Sequence, residues 1–164
     1  MSLNVPEFSE SVVVRSADAE VVGRAPTTVR LLADSGATGG ALSTHRVTLI
    51  GGANGANPHR HTRSAELFFL LDGAAQFLSG DQVVTAGSGD LVVVPRGMVH
   101  AFAAAPGHDA DILVVITPGV ERFGYFHQLE RIAYGEQPPE SLLEVQEIYD
   151  TYFQTSASWD KARA

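Results

Sequence analysis

Between Thr44 and Thr117 the chain is written as short β-branched and aromatic runs, with turn signals roughly every 8–12 residues. The runs are His45–Ile50, Glu66–Leu71, Ala75–Leu78, Val83–Thr85, Leu91–Val94, Val99–Ala103 and Ile112–Ile116. Asp72-Gly73 and Gly80-Asp81 stand between neighbouring runs, where a tight hairpin needs residues that tolerate positive φ. This texture predicts a meander of antiparallel strands. Strands with no helices between them leave exposed edges, and closure into a barrel or sandwich removes those edges. The expected class is therefore all-β.

The flanks differ. Residues 1–43 read as an N-terminal arm with short strands, holding a Val12–Val14 run, a Thr28–Leu32 run and a Gly36–Gly40 loop. Residues 44–117 read as the barrel. From Pro118 to the end at 164 the apolar period lengthens to that of a helix. Val120, Phe123, Phe126, Leu129 and Ile132 line one face of a first helix, which Gly135 and Pro138-Pro139 end. Leu142, Val145, Tyr149 and Tyr152 predict a second, with Pro139 in its first turn. Both stripes suit packing on the barrel or on a second subunit better than a mobile lid.

With 164 residues, one domain with a real apolar core is the expectation. A formal net charge of −8 repels phosphate backbones and anionic lipid, so neither nucleic acid nor membrane is an expected partner. No apolar run approaches a bilayer span, and Met1–Val14 lacks a basic start followed by a hydrophobic block, which predicts a soluble, cytoplasmic protein. The absence of cysteine removes disulfides, thiolate nucleophiles and sulfur ligands, so any metal must be held by His and carboxylate.

His59 and His61 are two apart on a segment entering a strand, so their side chains leave one face and can converge. Glu66 is an odd number of residues further on, and the polar Thr62-Arg63-Ser64 can supply the bend that returns it to that face. It then heads the apolar run Leu67–Leu71, where an unpaired carboxylate would be costly. His100 lies far along the chain, after a turn marked by Pro95 and Gly97. Three imidazoles and a carboxylate suit one divalent ion of iron, manganese, cobalt, nickel or zinc. His45, His108 and His127 read as surface or satisfied core residues.

These residues resemble the two motifs of the cupin superfamily. His59-x-His61, four residues, Glu66, six residues and Gly73 follow the first motif, with its leading glycine one place early at Gly52. Gly89, Pro95, Gly97 and His100 follow the second, with Ala104 where an asparagine is usual. The resemblance implies a jelly-roll β-barrel, here with two C-terminal α-helices, holding the metal on His59, His61, Glu66 and His100. Strand alternation from Glu66 and His100 then sends Phe68, Leu70, Met98 and Phe102 into the same pocket. No Arg or Lys is evident there, and Arg63 and Arg96 read as solvated, so an apolar or aromatic substrate is expected rather than an organic acid.

Within that family, single-domain bacterial quercetin dioxygenases look like the nearest functional analogue. The likeness implies a substrate hydroxyl on the metal, Glu66 as catalytic base, and dioxygen as co-substrate. A non-redox cyclase or isomerase, and a binding protein without turnover, are the other readings. Aromatic stripes near Phe123 and Tyr149 add the expectation of a homodimer.

Overall fold

The computed structural model describes residues 8–164, so the first seven residues of the expected arm lie outside it. The strands are β1 (Val21–Arg24), β2 (Thr27–Ala33), β3 (Ser43–Leu49), β4 (Asn54–Arg60), β5 (Ala65–Ser79), β6 (Gln82–Gly87), β7 (Leu91–Val94), β8 (His100–Ala104), β9 (Ala110–Thr117) and β10 (Tyr152–Phe153). The helices are α1 (Phe123–Ala133), α2 (Gln146–Tyr149) and α3 (Ala157–Ala162), and a 3₁₀ stretch, Pro139–Val145, leads into α2.

Every strand pairing is antiparallel, and two sheets share β5. The first half of β5 lies between β9 and β7, in a sheet ordered β1-β2-β3-β9-β5-β7. Its second half lies between β6 and β8, in a sheet ordered β6-β5-β8-β4-β10. Curling about this shared strand puts the apolar alternates of both sheets inside. Leu31, Val47, Leu49, Phe68, Phe77, Ile112 and Val114 belong to one buried cluster there.

Two predicted runs thus merge into one strand of 15 residues. Asp72-Gly73 is no hairpin: the ladder with β9 slips between Leu70 and Asp72, and the strand bends there from one sheet to the other. Gly73 has φ 78°, and an added Cβ would lie 1.9 Å from the Asp109 carbonyl oxygen. A turn glycine and a bulge glycine look alike in sequence, because both are chosen for positive φ. Gly80-Asp81 does form a two-residue hairpin loop, with Ser79 paired to Gln82.

The arm is more integrated than its weak patterning suggests. Val29, Leu31 and Ala33 are buried on β2, which pairs with β3. The Val12–Val14 run stays exposed and forms no strand. At the other end α1 forms as expected, with Phe126 buried and Phe123 and Leu129 packed on the barrel cluster. The predicted second helix is mostly 3₁₀, with a single α turn. Its apolar stripe is only partly covered, and the left-handed Asp150 (φ 48°) stops it. Tyr152 and Phe153 then pair with β4, and α3, too short to show a period, lays Trp159 on Leu78, Ala101 and Ala103. Phe123 and Tyr149, from the stripes expected to serve the barrel or a second subunit, pack against the barrel cluster. No helix among the described residues is long and apolar enough to cross a membrane.

The two glycines separate by experiment. Gly73→Ala meets backbone and should lower the thermal midpoint sharply, whereas Gly80→Ala meets nothing within 4 Å and carries only the positive-φ cost, about 1 kcal/mol. Equal melting temperatures for the two variants would contradict the bulge.

Candidate metal centre

His59 is the next-to-last residue of β4 and His100 begins β8, and the two are register partners across the ladder, with ring centroids 4.2 Å apart. Glu66 comes from the other sheet, on β5 opposite Val94 and Ile116. His61 lies just past β4, in the bend that the polar Thr62-Arg63-Ser64 stretch provides. The second motif's turn holds that bend in place, since the Gly97 N–H donates to the His61 carbonyl at 2.6 Å. All four side chains are buried, and one candidate ligand atom from each lies within 4.8 Å of the others.

Each imidazole is pinned from behind. Nδ1 of His59 donates to the Asn57 carbonyl (2.7 Å), that of His61 to Asp150 (2.6 Å) and that of His100 to Met98 (3.0 Å). A carbonyl has no proton to give, so each Nδ1 must carry the hydrogen, and each Nε2 is left to present a lone pair. Backbone partners of this kind fix tautomer and ring orientation at metal sites. Two of those nitrogens, on His61 and His100, sit 2.7 and 2.6 Å from the same Glu66 Oε2. Lone pairs and a carboxylate hold that distance only with a cation between them, either protons or a metal ion.

The electrostatics agree. Burial, then His100 and His61, push His59 well below its usual value, so its nitrogen is free of a proton. Burial alone would raise Glu66, but His61 and His100 outweigh it and hold the carboxylate well below its ordinary range. Burial lowers His100, and the Glu66 bond and charge more than reverse that. Without a metal the raised His100 favours a proton shared with the ionised Glu66, which a metal ion would displace on binding, and donor atoms this close need only small shifts to meet bonds of about 2.0–2.2 Å. The residues fit a metal ion.

Asp150 is the support that sequence reasoning did not find. Its carboxylate accepts from the Thr62 main chain (2.9 Å), the Thr62 hydroxyl (2.6 Å) and the Arg63 main chain (2.8 Å), while its own carbonyl holds His61. Burial would raise its pKa, but the Thr62 and Arg63 bonds bring it below the usual carboxylate value. No local pattern marks it, because the partners lie almost ninety residues back, at |i−j| of 87 to 89.

A cavity of about 150 Å³ opens beside His59 and Glu66. Of the pocket residues expected from alternation, Phe102 lines it. Phe68 lies beneath, its ring centroid 6.1 Å from that of His100 and 5.3 Å from that of Phe102, and Leu70 is fully buried in the core. Met98 is outside the lining: it sits in the loop before β8, where strand alternation does not apply, and Ser79 donates to its sulfur at 3.3 Å. Phe126, Leu142 and Phe153, from the C-terminal segment, add to the apolar wall, with Val29 and Val47 from β2 and β3.

The expected absence of a cation is corrected by Arg122. It is buried and lines the cavity together with His45 and Tyr125. Arg122 lies at the start of α1, outside both motifs, and only the docking of that helix brings it inward. Arg63 is exposed and 3.7 Å from Asp150, and Arg96 is exposed too. His108 is exposed and His127 pairs with Glu20 at 2.9 Å, but His45 is neither on the surface nor satisfied.

Removing the Asp150 carboxylate should loosen the His61 bend. Asp150→Ala is expected to lose at least about 2 kcal/mol in stability, and metal affinity should fall about 10–100-fold. Asp150→Asn, which keeps one acceptor and tolerates the left-handed backbone, should lie between. Thermal melting and metal titration check both, and unaltered metal affinity in Asp150→Ala would reject the supporting role.

Comparison with known proteins agrees with this architecture. Residues 45–116 match the cupin domain family. No curated protein matches the chain. Among solved structures, an RmlC-like cupin from Shewanella frigidimarina is 13% identical, with a TM-score of 0.59, over 73% of this chain and 99% of that one. The polyketide cyclase RemF from Streptomyces resistomycificus is 22% identical, with a TM-score of 0.54, over 66% and 80%. Streptomyces Pac13, described as a nucleoside dehydratase, is 14% identical, with a TM-score of 0.54, over 66% and 83%. Motifs, domain match and architecture together make residues 45–116 of this chain a cupin domain.

Proposed function

We propose that the protein is a metal-dependent enzyme acting on a small organic compound, with one divalent transition metal held by His59, His61, Glu66 and His100. The observation that carries this reading is the inward set of three Nε2 atoms, each locked by its own Nδ1 bond, around one buried carboxylate beside a cavity. When bound, such a metal supplies Lewis acidity toward a ligand oxygen and, where it is redox-active, a route to dioxygen. Glu66, kept ionised, takes the proton of a hydroxyl or enol brought beside it. The apolar walls around Phe102, Phe126 and Phe153 exclude water from that transfer.

Those walls support the dioxygenase reading, with an apolar or aromatic hydroxylated substrate. A non-redox cyclisation or dehydration is the second reading, favoured by the polar Arg122 and His45 in the same cavity. The names cyclase and dehydratase, carried by two of the similar structures, point the same way. Homodimerisation is part of the proposal. It is supported by Leu91 and Val93, 56% and 55% exposed on β7.

Protein purified without chelators should carry near-stoichiometric metal by plasma mass spectrometry, and His59→Ala/His61→Ala should carry almost none. A native protein that neither holds nor takes up metal would overturn the enzyme reading in favour of a binding module. Substrate loss matched by oxygen-electrode consumption supports the dioxygenase, and turnover under argon supports the second reading. Sedimentation at micromolar concentration should show a dimer; only a 17.4 kDa species would reject it.

A further inference from the structure

Arg122 is 5% exposed, yet among the described residues it forms no ion pair. Its Nη1 donates to the Tyr149 carbonyl (3.2 Å) and the Thr151 hydroxyl (2.7 Å), its guanidinium carbon lies 4.1 Å from the Tyr125 ring centroid, and its Nε has no partner. A guanidinium cannot shed its charge at any physiological pH, so a buried one with only neutral partners lacks a counter-ion. The nearby carboxylates are engaged elsewhere. Asp34 accepts the main-chain N–H groups of Arg122 (2.6 Å), Phe123 (3.1 Å) and Ser35 (3.2 Å), and Glu66 is held by His61 and His100.

His45 is the second unsatisfied group on the same cavity. It is 4% exposed, its Nδ1 has no partner, and its ring packs 4.5 Å from that of Phe126. Burial first, and then Arg122, push it down to about 3, so the ring is neutral and can offer one donor and one acceptor. The titratable groups lining the cavity are His45, His59, Glu66, Arg122 and Tyr125, and burial raises Tyr125, keeping it protonated. Glu66 Oε2 is taken up by His61 and His100, and no carboxylate of the cavity lining pairs with Arg122. Two buried polar atoms without a protein partner, on residues of one cavity wall, are where a polar ligand would find hydrogen bonds.

We propose that Arg122 and His45 form an anion-binding station in the cavity beside the quartet, so that the ligand is a small organic acid or acidic enol. Its negative group is neutralised by Arg122 and hydrogen-bonded by His45, and a further oxygen faces the quartet. Only that last feature rests on the metal-enzyme reading; the station itself requires no metal. The volume of about 150 Å³ sets the size, since an apolar cavity of similar volume takes benzene, so a monocyclic acid fits without movement of the walls.

Benzoate and its neutral counterpart benzamide are suitable probes, titrated calorimetrically into metal-loaded and chelator-stripped protein. Benzoate should bind at least tenfold more tightly than benzamide in both forms. Arg122→Gln should bring the ratio close to one. Because Arg122 also ties down Tyr149 and Thr151, that variant risks misfolding, and His45→Phe then carries the test: benzoate should weaken several-fold while benzamide is unchanged. Equal affinity of the two probes for the native protein, or binding of neither, would overturn the station. So would a preference that survives Arg122→Gln, an unchanged benzoate affinity in His45→Phe, or a preference seen only with metal present, which would assign the carboxylate to the metal. A chain that takes up no metal yet keeps an Arg122-dependent preference supports the station and rejects the metal-enzyme reading.

Discussion

Two imidazole nitrogens held 2.7 and 2.6 Å from one buried carboxylate oxygen demand a positive charge between them. In bulk water such a grouping would disperse, but here the rings cannot turn away because each Nδ1 is bonded to a main-chain carbonyl. The cluster is therefore a place where a cation is favoured by the fold itself. Low local dielectric makes the favour large, for the same reason that it makes an unpaired buried charge costly. Much of the chain outside the two motifs can be understood as keeping that grouping together and dry.

The shared strand β5 is what joins it. Glu66 lies in the half of β5 that pairs with β9 and β7, while His100 pairs with Ser79 at the other end, in the second sheet. The bend at Gly73 lets one strand serve both sheets, which brings a carboxylate from one layer against imidazoles from the other. The C-terminal segment then closes over the result. Asp150 clamps the His61 bend, β10 caps the edge of β4, and α1 contributes Phe126 and Arg122 to the cavity. The helical tail is thus part of the site and not an appendage to a finished barrel.

That tail also alters the chemical character of the cavity. Strand alternation within the barrel gives an apolar interior, and Phe68, Leu70 and Phe102 are indeed buried there. The polar groups Arg122 and Tyr125 come from the helix and His45 from β3, on which it takes an inward position between buried Ser43 and Val47. A largely apolar box lined also by Arg122 and by the imidazoles of His45 and His59 presents charge as well as shape to a ligand, a property that the strands around the motifs do not carry alone.

The sequence by itself determined the strand-rich class, the hairpin at Gly80-Asp81, the first C-terminal helix and the identities of the four converging residues. Those features are written in local periods and fixed spacings, and backbone geometry translates them directly into faces and turns. Only the tertiary structure decided that Asp72-Gly73 bends a continuous strand, that β1 and β2 extend the sheet, and that Asp150, Arg122 and His45 belong to the site. Each of these depends on a partner distant in the chain: the Asp109 carbonyl against Gly73, Thr62 against Asp150, the barrel wall against α1. Long-range pairing is decided by packing and by the satisfaction of buried polar groups across the whole fold, and no window of neighbouring residues records it.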